Sequence, residues 1–150
     1  MKIDRDVSGE KSESTVRPTV DMHRKMALLV EDNELNMEIA EFLLEGEGMI
    51  VVKASNGKEA VEKFAASEVG GFDIIFMDVM MPVMNGLDAA RKIRSMTRAD
   101  AQTIPVIAMT ANAFQDDVQR SFEVGMNAHI TKPLDINKIR EAITDVMTKK

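Results

Sequence analysis

The sequence contains no cysteine and only two histidines among its 150 residues. Disulfides, thiolate metal sites and cysteine nucleophiles are therefore excluded, and a metal centre built from several histidines is disfavoured. Tryptophan and tyrosine are also absent, so a core must be built mainly from Met, Ile, Val, Leu and Ala, with six Phe. The 13 methionines are expected in that core rather than on a binding surface. For reactive chemistry, the carboxylates remain.

Long apolar runs and an excess of positive charge are missing as well. No run approaches the roughly 20 residues that span a bilayer, and the N-terminus lacks the apolar stretch of a secretion signal. We therefore expect a soluble, cytoplasmic protein without a membrane partner. The 19 basic and 25 acidic side chains give a formal net charge of −6, which disfavours direct nucleic-acid binding.

The chain divides into a short polar segment and one domain. Residues 1–25 mix charges with Ser, Thr, Gly and Pro and follow neither a helix nor a strand period, which predicts a disordered tail or linker. Residues 26–150 are long enough for one domain of ordinary size.

Within residues 26–150, short apolar runs alternate with longer stretches of helical period. The apolar runs occupy residues 27–30, 50–52, 74–77, 106–109 and 128–130. Most are apolar at consecutive positions, as strands covered on both faces are. The alternation predicts an α/β fold of five βα units, with a parallel sheet and crossover helices.

The predicted helices carry their own start signals. The first follows Asn33, a predicted cap, and shows an apolar stripe of Leu35, Ile39, Phe42 and Leu43. The second begins with Asn56 and has Glu59 three residues later, a variant of the capping box. The remaining helical patterns cover residues 87–96, 114–125 and the segment after Asp135.

Side chains that suggest a shared chemistry follow four of the five predicted strands, whereas Lys53-Ala54-Ser55 after the second suggests none. Glu31 and Asp32 follow the first, Asp78 the third, Thr110 the fourth and Lys132 the fifth. In an open parallel sheet the ligand crevice lies beyond the carboxyl ends of the strands, so these groups are expected at one edge. Three carboxylates and one ammonium leave a net charge of −2 when all are ionised. A divalent cation would balance it, and oxygen ligands favour Mg²⁺.

Such a site suits phosphoryl chemistry. A carboxylate of ordinary pKa is ionised at neutral pH, so Asp78 is expected to be able to attack phosphorus without a general base. Lys132 and Mg²⁺ would neutralise charge on the transferring group, and Thr110 could donate a hydrogen bond to it. Each residue alone has a plainer interpretation as a cap, a turn or a surface charge. Their coincidence at four strand ends favours a site.

Four segments carry a family resemblance: LVEDN at residues 29–33, IFMDVMMPVMNG at 75–86, MTA at 109–111 and TKP at 131–133. In this order and at these separations, the chain from about Met26 to Met147 resembles the receiver domain of two-component response regulators. Details of the motifs look most like the receivers of hybrid histidine kinases. The resemblance implies a flavodoxin-like, doubly wound sheet with strand order 2-1-3-4-5.

The resemblance also implies roles for individual residues. Asp78 would accept a phosphoryl group from a phosphohistidine on a histidine kinase or histidine phosphotransfer protein. Magnesium would be held by Glu31, Asp32, Asp78 and the backbone carbonyl of Met80. Thr110 would be the switch hydroxyl and Lys132 the ion-pair partner.

One departure from the family pattern concerns the switch. Three residues before Lys132, where many receivers carry Tyr or Phe, this chain has His129. The imidazole is smaller and titrates near neutrality, so His129 either takes part in the switch with Thr110 or is a residue at the sheet edge without a switching role. A second copy of the chain is a further possible partner, in a homodimer formed on phosphorylation, and the sequence does not decide whether it forms.

The leading hypothesis is a signalling receiver that is not an enzyme apart from its own phosphorylation and dephosphorylation. Two alternative functions compete with it. A Mg²⁺-dependent phosphohydrolase would also form an aspartyl phosphate, but two residues after Asp78 this chain has Met80 where haloacid-dehalogenase-type hydrolases use a second acid. A degenerate receiver would bind a partner without being phosphorylated, and the retained acidic residues and Lys132 argue against it.

Overall fold

The computed structural model describes residues 21–81, 83–111 and 115–148, with five strands and five α-helices in alternation. A short 3₁₀ turn at Ala99–Gln102, which the sequence patterns did not predict, precedes the fourth strand. The elements are β1 (Met26–Val30), α1 (Glu34–Gly46), β2 (Ile50–Ala54), α2 (Gly57–Ala66), β3 (Ile74–Asp78), α3 (Gly86–Arg94), β4 (Val106–Thr110), α4 (Gln115–Glu123), β5 (Ala128–Thr131) and α5 (Ile136–Thr148).

All five strands are parallel and form one sheet in the order β2-β1-β3-β4-β5. This confirms the predicted fold class and strand order. Each strand is longer than its apolar run by one or two residues, so β3 ends on Asp78 and β4 on Thr110. Polar side chains thus belong to the ends of the strands themselves.

Side chains of the sheet alternate between two apolar cores, one on each face. Along β3, Ile75 packs in the core that also contains Phe64 of α2 and Ile93 of α3. Its neighbour Phe76 packs in the opposite core, with residues of α1 and α5 such as Ile139. The sheet is therefore doubly wound. None of the helices in the described ranges is long and apolar enough to cross a membrane.

Three helices start at the carboxyl edge of the sheet, the edge where the strands end. Each of them is preceded by an asparagine that caps it. In each case the Asn side chain accepts a hydrogen bond from the backbone N–H three residues later, the usual N-cap geometry. The pairs are Asn33 with Asn36 at 2.9 Å, Asn56 with Glu59 at 2.8 Å, and Asn85 with Asp88 at 2.9 Å. The predicted caps at Asn33 and Asn56 are confirmed, and Glu59 reaches back to the N–H of Ser55 at 3.0 Å.

Helix α1 does not bury most of its predicted apolar stripe. Leu35 and Phe42 are 65% and 77% exposed, and Ile39 is exposed as well. The sheet instead covers the side of the helix that carries Ala40 and Leu44, which are buried. Periodicity identified a real apolar stripe, but α1 has apolar residues on two sides, and spacing alone does not say which side meets the sheet.

The described part of the chain starts inside the segment predicted as a tail, whose residues 1–20 lie outside it. Met22 is buried in the core on the α1 and α5 side. The backbone N–H of Arg24 donates to the carbonyl of Gly48 at 2.7 Å, and Lys25 accepts from the N–H of Ile50 at 2.8 Å. Within the described residues, contacts with the domain therefore already include Met22, four residues before β1.

Candidate functional site

Three carboxylates meet at the carboxyl edge of the sheet. Glu31 and Asp32 follow β1, and Asp78 ends the neighbouring strand β3. One oxygen from each of the three lies within 4.8 Å of the other two. Glu31 and Asp78 are buried, whereas Asp32 is exposed. Oxygen donors of this kind, gathered this closely and with one side open to solvent, fit a hard divalent cation such as Mg²⁺.

The Glu31 carboxylate is almost fully enclosed and has a partner on each oxygen. Its Oε1 lies 2.8 Å from Nζ of Lys132, and its Oε2 accepts a hydrogen bond from the backbone N–H of Asn33 at 3.1 Å. The side chain is only 1% exposed. A buried charge needs such partners, because water is excluded from it.

Asp78 is held at the centre of the cluster. Its Oδ2 lies 3.3 Å from Nζ of Lys132, and the N–H of Met80 points to its Oδ1 at 3.4 Å. Burial, and next the charge of Glu31, raise the pKa of the Asp78 carboxyl to about 7, with Lys132 acting in the opposite direction. Without a cation, the carboxylate form is therefore disfavoured, and a bound cation would stabilise it.

Lys132, the residue directly after β5, bridges the two buried carboxylates. Burial lowers the pKa of its ammonium, but the hydrogen bond with Glu31 and the charges of Asp78 and Glu31 outweigh that effect, so the net pKa is raised. The ammonium therefore stays charged. The N–H of Lys132 donates to the carbonyl of Thr110 at 2.8 Å, and the peptide bond to Pro133 is cis.

Thr110 lies at the same edge, on the strand between Asp78 and Lys132. It is the last residue of β4, is buried, and is paired with Thr131 of β5 in the sheet register. Met80 follows Asp78 in the loop to α3, and its side chain is exposed. The structure therefore brings the predicted Glu31, Asp32, Asp78 and Lys132 together and places Thr110 beside them.

His129 lies elsewhere. It pairs with Ala108 in the middle of β4 rather than with the strand end, and its ring meets Phe122 of α4 edge to face, with centroids 6.4 Å apart. It lines a cavity of about 470 Å³ together with α5 residues such as Glu141 and Asp145. His129 therefore belongs to the surface formed by α4, β5 and α5.

Sequence reasoning missed residues that hold the loops of the site. Nζ of Lys138 donates to the carbonyls of Thr131 at 3.1 Å and Pro133 at 3.0 Å, on either side of Lys132. A Cβ on Gly86 would lie 2.2 Å from the carbonyl oxygen of Asp78. For Gly86 a signal was present, a glycine directly after an Asn cap. For Lys138 nothing in the local pattern indicated the role.

Comparison with known proteins gives one family. A profile of the response regulator receiver domain matches residues 27–144. Probable histidine kinase 2 of Oryza sativa subsp. indica is 37% identical over 141 residues, covering 87% of this chain and 13% of that protein. Hybrid signal transduction histidine kinase L of Dictyostelium discoideum is 35% identical over 117 residues, covering 77% of this chain and 7% of that protein. The chain thus spans a small part of the length of these relatives.

Two solved structures extend the likeness to three dimensions. The receiver domain of a Pseudomonas aeruginosa sensor histidine kinase, with magnesium coordinated in its active-site cleft, matches with a TM-score of 0.73 and 32% identity, over 83% of this chain and 99% of that one. The receiver domain of the Saccharomyces cerevisiae response regulator Ssk1, in complex with the histidine phosphotransfer protein Ypd1, matches with a TM-score of 0.70 and 30% identity, over 82% of this chain and 88% of that one.

Proposed function

Because the chain belongs to the response regulator receiver domain family, we propose that Asp78 accepts a phosphoryl group from a phosphohistidine on a partner histidine kinase or histidine phosphotransfer protein. The observation that carries the proposal is the buried Asp78 carboxylate, which shares Lys132 with Glu31 and lies within reach of Asp32. We assign this receiver to residues 26–150, preceded by the segment 1–25, of which Met22 packs in the core of the domain.

The transfer is a displacement at phosphorus. A carboxylate oxygen of Asp78 forms the new P–O bond, the P–N bond of the phosphohistidine breaks, and the imidazole leaves with the electron pair. Glu31, Asp32, Asp78 and the backbone carbonyl of Met80 would hold Mg²⁺. When bound, this ion supplies positive charge next to the transferring group.

Lys132 supplies the second positive charge. Its ammonium lies between Glu31 and Asp78, at 2.8 Å and 3.3 Å, so it is already placed beside the carboxylate that becomes an acyl phosphate. The added group carries about 1.5 to 2 negative charges, which an ammonium held at this distance stabilises.

Thr110 and His129 are the proposed switch residues. The hydroxyl of Thr110, at the end of β4, would donate a hydrogen bond to the phosphoryl group. His129 contacts Phe122, so a shift of its ring would reach α4. The surface that changes would then be the one formed by α4, β5 and α5, where a phosphorylation-dependent partner or a second copy of the chain would bind.

The exposed apolar side of α1 supports a protein as phosphodonor. Leu35, Ile39 and Phe42 form this face. Next to it, a small cavity of about 70 Å³ is lined by Ile39 and Lys132, among others. An apolar surface that adjoins the phosphoryl site gives a protein donor something to bind beyond the reacting atoms.

We further propose that this receiver is a cytoplasmic signalling module. We expect it to have no other enzymatic activity and to bind neither nucleic acid nor membranes. The net charge of −6 supports the exclusion of nucleic acid. The absence of a second acid at Met80 supports the exclusion of a phosphohydrolase.

The test is intact-mass measurement after incubation with Mg²⁺ and acetyl phosphate. We expect one base-labile phosphoryl group on the wild-type protein and none on Asp78→Asn, because the amide cannot form the acyl phosphate. Asp88→Asn, a change at an exposed Asp of α3, is the matched control and should be labelled like the wild type.

Two results would contradict the proposal. One is equal labelling of Asp78→Asn. The other is a folded wild-type protein that gains no phosphoryl group and also fails to bind beryllofluoride with Mg²⁺. Release of many phosphates per protein from simple phosphomonoesters would instead indicate the phosphohydrolase.

A further inference from the structure

The loop between β3 and α3, described at residues 79–81 and 83–85, is covered at one end by the first turn of α2. The backbone N–H of Gly57, the first residue of α2, donates to the carbonyl of Met84 at 2.9 Å. Gly57 is buried. This contact joins α2 to the same loop that carries Met80.

The contact requires a residue without a side chain. A Cβ on Gly57 would lie 2.4 Å from the carbonyl oxygen of Met84 and 2.9 Å from that of Asn85. Both are backbone atoms, so either the loop or the first turn of α2 would have to move. The φ angle of Gly57 lies outside the left-handed region, and alanine is the better helix former. The close approach to the loop is therefore what requires glycine here.

The loop is also fixed at its other end. The N–H of Val79 donates to the carbonyl of Met109 at 3.0 Å, and the carbonyl of Val79 accepts from the N–H of Gly86 at 2.9 Å. Between these contacts, Val83 adopts a φ of 69°, which is unfavourable for a β-branched residue. The contacts at the two ends therefore flank a described stretch of backbone that is strained at Val83.

We propose that Gly57 is a positioning residue for the magnesium site. By letting the N-terminus of α2 lie against Met84, it fixes the loop and with it the backbone carbonyl of Met80. The inference rests on the proposed function only in taking that carbonyl as a metal ligand. It implies that Mg²⁺ binding and the packing of α2 are coupled.

The test compares Gly57→Ala with Gly46→Ala in the unphosphorylated protein. Gly46 ends α1, and a Cβ there would meet no described atom within 4 Å. Mg²⁺ affinity is measured from backbone amide chemical shifts, and the metal-free unfolding temperature is measured alongside. For Gly57→Ala we expect a loss of affinity of about tenfold or more, as for other residues that orient a metal ligand, together with shifted amides of Met80 and Val83 before metal is added. Gly46→Ala should bind like the wild type.

An affinity of Gly57→Ala equal to that of Gly46→Ala would overturn the proposal. If Gly57→Ala does not fold, hydrogen exchange in the unmodified protein decides. Coupling is reciprocal, so saturating Mg²⁺ should slow exchange of the Gly57 amide, and unchanged exchange would overturn the inference. A wild-type protein that binds no Mg²⁺ would instead contradict the metal site assigned under Proposed function, and Gly46→Ala would show the same failure.

Discussion

Asp78 and Asp100 are acidic residues at opposite edges of the same sheet, and their surroundings differ sharply. Asp78 ends β3 at the carboxyl edge, where burial, and next the charge of the Glu31 carboxylate, raise its pKa. Asp100 lies in the 3₁₀ turn that precedes β4, at the amino edge. Hydrogen bonds from Arg98 lower the pKa of Asp100, and a hydrogen bond from the backbone N–H of Gly70 lowers it further.

At the amino edge, the positive charge of Arg98 is paired with the negative charge of Asp100 in a network of hydrogen bonds. Arg98 donates from Nε to Asp100 at 2.7 Å and from Nη1 to the carbonyls of Phe64 at 2.7 Å and Ser67 at 2.9 Å. Its guanidinium also lies 4.4 Å from the centre of the Phe64 ring. The same side chain thus binds the last turn of α2 and the connection into β4. Its role is structural.

The carboxyl edge is left unbalanced, and that difference identifies the functional end of the molecule. One ammonium serves two buried carboxylates there, with a third nearby. Arrangements that cost stability persist where a ligand or reaction uses them. Both edges carry acidic residues, so their presence alone does not distinguish a functional edge from a structural one. The number of positive partners for each carboxylate does.

The largest expected effect comes from breaking the amino edge. Arg98→Met keeps much of the apolar stem but removes the donors for Asp100 and for two carbonyls. We expect the free energy of unfolding to fall by about 2–4 kcal/mol. Denaturant unfolding measures this. Mg²⁺ affinity of the folded variant should stay at the wild-type value, and a selective loss of metal binding would show that the two edges are not separate.

Asp78→Asn should have the opposite effect in Mg²⁺-free protein. The folded pKa of about 7 lies above the unfolded value of 3.8, so the carboxyl destabilises the fold increasingly as pH rises from about 4 to 7. The variant should be more stable than the wild type at pH 8, by an amount on the order of 2 kcal/mol. The difference should disappear near pH 3. A variant that is less stable at pH 8 would contradict this description of the cluster.

Asp100→Asn is the matched change at the amino edge. Because the folded pKa of Asp100 is lowered, its charge stabilises the fold above the unfolded pKa, and this contribution is lost as pH falls through the folded pKa. The variant should be less stable than the wild type at pH 7, by about 0.5–1.5 kcal/mol. Thermal unfolding between pH 7 and pH 3 should show the two proteins converging at low pH. A constant difference across this range would mean that the charge of Asp100 is not what matters.

Val83→Gly has the smallest expected effect and probes strain at the carboxyl edge. Glycine accepts the φ of 69°, but it also gains freedom in the unfolded chain. We expect a net stabilisation of about 0.5 kcal/mol, seen as a small rise in the unfolding midpoint. A clear destabilisation would show that Val83 is not strained, or that its side chain contributes more than its exposure suggests.

Much of the fold could be predicted because the strands are apolar at nearly every position. Consecutive apolar residues such as Ile74–Met77 require cover on both faces, and this leads to a doubly wound sheet. The carboxylate site followed from the strand ends, since parallel strands bring Glu31 and Asp78 to one edge. The closeness of Lys132 to Glu31 could not be derived from spacing, because β3 and β4 lie between the strands that these two residues follow, and the contact depends on side-chain directions.

Other features were hidden from the sequence for physical reasons. The exposure of Phe42 depends on which side of α1 the sheet covers. The 3₁₀ turn at Ala99–Gln102 is too short to show a period. The role of Gly57 depends on a contact with a loop 27 residues later in the chain, and local pattern carries no record of such contacts.

The most direct test of the central claim is to locate the phosphoryl group within the cluster. The protein is phosphorylated with acetyl phosphate and Mg²⁺, and the acyl phosphate is reduced with borohydride, which converts a phosphorylated aspartate to homoserine. Peptide mass spectrometry then identifies the modified residue. We predict homoserine at position 78 and unmodified Glu31 and Asp32. Reduction at Asp32 or Glu31, with residue 78 unchanged, would contradict the assignment of Asp78 as the phosphoacceptor.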